Sequence, residues 1–72
     1  MNGNALLKRL RRLARERNVQ LRLVRERGKG SHATLYFGVH LTIMKDRKQE
    51  IGPGLLLKML RDLGLEKTDI GL

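Results

Sequence analysis

The apolar residues of this chain change their period twice. Leu6, Leu7, Leu10, Leu13 and Ala14 recur at helical spacing, and Leu56, Met59, Leu60 and Leu63 do so again near the other end. Between these stretches the period drops to two. Val19, Leu21 and Leu23 alternate with Gln20 and Arg22, Ala33, Leu35 and Phe37 alternate with Thr34 and Tyr36, and Leu41 and Ile43 flank Thr42. A chain of 72 residues lies near the lower limit for a self-sufficient core, so each single apolar face must be buried against the others. The economical packing is an α+β domain of order α-β-β-β-α, a three-stranded antiparallel sheet with both helices on one face. One domain over residues 1–72 is expected, with a frayed tail at about 66–72. The second sheet face, carrying His32, Thr34 and Tyr36, is left open to a ligand.

The spacing predicts a first helix over residues 4–17, capped by Asn4, with Asn18 breaking the pattern. Pro53 suits the first turn of the second helix and Gly64 its end, while Leu55 and Leu57 sit at roughly 100° on either side of the buried face. Strands are expected at Val19–Leu23, at residues 31–37 and at Leu41–Met44. Paired residues on adjacent strands share a face, so an inward Leu41 and Ile43 require a three-residue loop, Gly38-Val39-His40. That register pairs Phe37 with Leu41 and Leu35 with Ile43, and sets His32 opposite Asp46.

The charge of +9 is large for the length and unevenly spread. Residues 1–30 carry ten Lys/Arg against two Glu, a net of about +8, and the remainder carries six against five. A one-sided basic field favours a polyanion, either nucleic acid or an acidic protein surface. On the first helix Lys8, Arg11, Arg12 and Arg15 form a basic stripe opposite the leucines, which fits RNA phosphates and fits a plain solvated face equally. The absence of cysteine excludes a disulfide scaffold, a thiolate nucleophile and a cysteine zinc site. With two histidines and no clustered acids, neither a metal nor another cofactor is expected. No apolar run suggests a membrane span and no signal-peptide pattern opens the chain, so a cytoplasmic protein with no membrane partner is the default expectation.

The chemistry-bearing stretch is Arg27-Gly28-Lys29-Gly30-Ser31-His32, which runs into the second strand. Gly28 and Gly30 allow a close backbone approach to an anion, and Lys29 adds positive charge beside it. Histidine both takes and gives a proton near neutrality, which makes His32 the candidate general acid or base for work on a phosphodiester. Ser31 shapes the turn and is counted with Arg27, Lys29 and Gly30 as a phosphate contact rather than a nucleophile, since no base aligned by a third group marks it as one. Tyr36 offers a ring on which a base can stack, or else packs on Thr34. Lys45, Arg47 and Lys48, together with Arg25 and Arg27, are candidates for holding backbone phosphates. His40, expected in the hairpin loop, is too far along the strand to pair with His32.

The element order is that of double-stranded-RNA-binding domains, and over nearly its whole length the chain resembles the HicA family, small mRNA-cleaving toxins of bacterial HicA–HicB toxin–antitoxin pairs. The resemblance rests on the leucine-bearing first helix, on Arg27, Lys29, Gly30, Ser31 and His32 with the strand that follows, and on a last helix ending in Leu63-Gly64-Leu65. It implies a fold like that of double-stranded-RNA-binding domains and a metal-independent endoribonuclease whose catalytic histidine corresponds to His32. It also implies neutralisation by a HicB-type antitoxin. Two readings of other classes stand beside it: a non-catalytic basic RNA-binding module, and a protein-interaction domain whose exposed leucines and basic face dock an acidic partner.

Overall fold

The computed structural model describes residues 1–25 and 32–72. Helix α1 (Gly3–Arg17) is followed by strands β1 (Leu21–Arg25), β2 (Ala33–Phe37) and β3 (His40–Met44), helix α2 (Pro53–Asp62) and a short 3-10 turn (Lys67–Ile70). The strands form one antiparallel sheet of order β1-β2-β3, so the fold is the expected α+β arrangement.

The cap of α1 is Asn2, not the expected Asn4. The Asn2 side chain accepts a hydrogen bond from the Ala5 amide at 2.9 Å, and the helix therefore begins at Gly3. Its end is set by Asn18, which adopts the left-handed conformation (φ 55°, ψ 46°). The amides of Asn18 and Val19 then fold back onto the carbonyls of Arg15 and Ala14. Helix α2 opens with Pro53 in its first turn and closes in the same way. Gly64 (φ 72°) lets its own amide reach the Arg61 carbonyl at 3.0 Å and the Leu65 amide reach the Leu60 carbonyl at 2.8 Å.

The apolar face of α1, the residues Leu56, Met59 and Leu60 of α2, and Leu63 just beyond it meet Leu35, Phe37 and Met44 of the sheet in one core. Leu55 and Leu57 remain about 40% exposed, as their angular positions on α2 predict.

The register of β3 departs from expectation. The hairpin has a two-residue loop, Gly38-Val39, and pairs Phe37 with His40, Leu35 with Thr42 and Ala33 with Met44. Thr42 and Met44 therefore face the helices, while Leu41 and Ile43 lie on the open face, each about half exposed. Two causes act together. Glycine occupies the first loop position with φ 61°, the geometry of a two-residue turn whose twist matches the strands. The three-residue alternative would put His40 in the left-handed conformation instead. The buried hydroxyl of Thr42 also has a partner, because its Oγ1 donates to Asp62 Oδ2 at 2.8 Å. Lys58 donates to the same oxygen, and these two bonds, that from Lys58 foremost, hold the Asp62 carboxyl below its usual pKa.

The segment expected to fray is docked. Ile70 is buried against α1, and Arg9 Nη1 donates to its carbonyl at 2.8 Å. Asp69 accepts from the Glu66 amide and pairs with Arg17 at 2.6 Å, and these bonds, in that order, lower its pKa. No helix among the described residues is long and apolar enough to cross a membrane.

Candidate nucleic-acid interface

The open end of the sheet brings the basic residues together. The β1–β2 ladder closes on the pair Arg25–Ala33, and the β2–β3 ladder closes on Ala33–Met44. The next positions outward are His32 and Lys45, both exposed. The one-residue change in register removes the expected pairing of His32 with Asp46, since the ladder ends at Ala33–Met44 rather than Ala33–Lys45. Asp46 is used inside its own loop, where Oδ1 accepts from the Lys48 amide at 3.0 Å and its carbonyl accepts from the Gln49 amide at 3.1 Å. The His32 side chain makes no hydrogen bond or ion pair with any described residue. Arg27, Lys29, Gly30 and Ser31 lie outside the described residues.

On the helix side of this end lies a cleft of about 320 Å³ lined by Asn4, Leu23, Arg25, Ala33, Asp46, Arg47 and Lys48. Three cationic side chains against one carboxylate make it a site for an anion. Its shape depends on contacts far apart in sequence. The 45–50 loop is held to the start of α1 by a bond from the Asn4 amide to the Arg47 carbonyl at 3.0 Å. Gly3 permits the approach, because a Cβ there would stand 2.8 Å from Arg47 Cα. Of the residues singled out from the sequence, Arg25, Arg47 and Lys48 meet in the cleft, whereas His32 and Lys45 are exposed one position beyond the paired Ala33 and Met44 and do not line it. The contribution of Asn4 was not legible, because only the tertiary contact with Arg47 places it there.

Tyr36 stands apart from this group. It is half-buried on the open face, four strand positions and about 13 Å from His32. Its ring carries the Arg22 guanidinium, 4.9 Å from the centroid, rather than only Thr34 as a neighbour. The cross-strand pairing of Arg22 with Tyr36 produces this contact, and sequence reading missed it because it treated β1 and β2 separately. His40 is the first residue of β3 rather than a loop residue, and its imidazole lies over Gly64 at the opposite end of the sheet from His32.

Among the described residues no group of three or more His, Cys, Asp or Glu is placed to hold a metal ion. Fold and site together define a small basic α+β domain with a cationic cleft at the open end of its sheet. Comparison with protein-family models, curated proteins and solved structures found no match to the chain.

Proposed function

We propose that this protein is a metal-independent endoribonuclease that cleaves mRNA, the toxin of a bacterial HicA-type toxin–antitoxin pair. In this reading it works in the cytoplasm and is neutralised by a HicB-type antitoxin. The observation that carries the reading is the gathering of Arg25, Arg47 and Lys48 around a cleft at the end of the sheet where β2 begins, with an exposed His32 directly preceding the Ala33 that lines it. An α-β-β-β-α order with one open sheet face, as in double-stranded-RNA-binding domains, supports it at the level of fold.

The chemistry follows from the groups at hand. His32 accepts the proton of a ribose 2′-hydroxyl, whose oxygen bonds to phosphorus as the bond from phosphorus to the 5′-oxygen breaks. Water protonates the departing 5′-oxygen, and a 2′,3′-cyclic phosphate is left. Lys29, the backbone amides around Gly30 and the cationic cleft stabilise the charge on the phosphoryl oxygens. DNA, lacking the 2′-hydroxyl, is not cut.

Purified protein is expected to degrade single-stranded RNA in EDTA. His32→Ala removes an exposed ring, so it should abolish cleavage and leave the circular dichroism spectrum unchanged. Cleavage by His32→Ala at the parental rate would overturn the assignment. A non-catalytic RNA-binding module is the second reading, and one observation favours it: no described residue hydrogen-bonds His32 to orient it as a base. It predicts salt-sensitive RNA binding with no cleavage at any pH.

A further inference from the structure

We propose that the solvent face of α1 is a second polyanion surface, a track along which the ribose-phosphate backbone of an RNA strand runs after leaving the cleft; the proposal rests on the RNA reading above. Lys8, Arg11, Arg12 and Arg15 are all exposed. At 100° per residue they fall within an arc of about 100°, and Asn4, which lines the cleft, falls on the same arc. The stripe therefore starts at the cleft and continues in line with it. From Asn4 to Arg15 it extends about 16 Å, the length of roughly five phosphates on a stacked strand.

The pairing of these cations separates structural charges from free ones. Arg9 is engaged with the Ile70 carbonyl, Arg17 with Asp69, and Arg12 with Glu16 at 3.5 Å. The side chains of Lys8, Arg11 and Arg15 make no ion pair or hydrogen bond with any described residue. Like charges at this spacing oppose helix formation, and no anionic group among the described residues pairs with these three.

The class of ligand follows from what else the face carries. A helix that lies on a lipid surface inserts an apolar face, but Leu6, Leu7, Leu10 and Leu13 are all buried in the core. A protein interface needs apolar or aromatic anchors at its centre, and the shallow surface of about 580 Å³ here is lined by Ala5, Lys8, Arg9, Arg11, Arg12 and Arg15. A surface of cations without anchors suits a nucleic-acid backbone, which is bound by charge and released by salt.

The test is the triple variant Lys8→Gln, Arg11→Gln, Arg15→Gln. Affinity for a 2′-O-methyl uridine 20-mer, which lacks the attacking hydroxyl and is not cut, is read by fluorescence anisotropy across a salt series, and cleavage is followed on an unmodified uridine tetramer too short to leave the cleft. Losing three single-strand phosphate contacts should lower the slope of log affinity against log salt by about 2, which is roughly a hundred-fold loss of affinity at 0.1 M salt. Tetramer cleavage should match the parent. A parent that binds the 20-mer while the variant keeps its affinity and slope overturns the track and leaves the nuclease reading intact. Tetramer cleavage that falls with 20-mer binding also overturns it, since the three residues would then act at the cleft or on the fold. Loss of binding to phosphatidylserine–phosphatidylcholine vesicles with 20-mer binding unchanged would assign the face to lipid and overturn it as well. A parent that binds no RNA removes both proposals together.

Discussion

Replacing Gly3 by alanine places a methyl carbon 2.8 Å from Arg47 Cα and 3.3 Å from the Arg47 carbonyl oxygen. Both neighbours are backbone, so no side chain can rotate away and the 45–50 loop must move as a unit. Overpacking of this kind costs about 3 kcal/mol at the upper end of the usual range. Displacing the loop also weakens the Asn4–Arg47 backbone bond, worth about 1 kcal/mol. Against this, alanine is favoured over glycine in a helix by about 1 kcal/mol. The balance is a loss of about 2–3 kcal/mol, which in a domain of this size lowers Tm by roughly 8–24 °C. Gly54, in the first turn of α2, supplies the control, because a Cβ there meets nothing within 4 Å. Gly54→Ala should raise stability by about 0.5–1 kcal/mol. The assay is thermal melting by far-ultraviolet circular dichroism on both variants. Two glycine-to-alanine changes, each in the first turn of a helix, are expected to move Tm in opposite directions. A rise in Tm for Gly3→Ala would refute the claim that glycine is there to admit the loop. Because that loop carries Arg47 and Lys48 into the cleft, the same variant should also bind RNA more weakly when assayed well below its Tm.

The register of β3 predicts that Met44→Lys, which buries an unpaired charge, leaves the domain largely unfolded, whereas Ile43→Lys on the open face costs about 1 kcal/mol or less; urea titrations giving the reverse order would restore the three-residue hairpin loop. Ile70→Ala is expected to destabilise by about 2 kcal/mol, and an unchanged urea midpoint would show that the tail is not docked on α1. Asp62 and Asp69 titrate below the unperturbed value of 3.8, so each binds fewer protons folded than unfolded. Their contribution to stability is present above that value and is lost as pH falls through their lower folded pKa values. The urea midpoint should therefore drop below about pH 4, more gently in an Asp62→Asn variant than in the parent, and identical acid profiles would count against the linkage.

Helix faces, strand existence and element order were legible because they depend on neighbours within a few residues. The leucine spacing of α1 and the Pro53–Gly64 boundaries of α2 each encode a local geometry. The basic character of the open end was equally plain from Arg25 and from the run around Arg47 and Lys48, and so was the placement of His32 next to β2, although the strand itself begins one residue later at Ala33.

The errors share one cause. Ranking Leu41 and Ile43 as the inward pair used hydrophobicity alone, whereas Thr42 is admitted to the interior by a carboxylate twenty residues further on. The tail looked frayed because its anchors, Arg9 and Arg17, lie some fifty to sixty residues earlier. The cap at Asn2 and the cleft at Asn4 likewise depend on how the 45–50 loop meets α1. Periodicity along the chain specifies which side of each element is apolar, since that is a property of consecutive residues. It carries no record of which distant donor meets which acceptor. Strand register, the docked tail and the shape of the anion cleft therefore emerge only when the elements pack, because hydrogen-bond partners and close backbone approaches between remote segments are settled at that step.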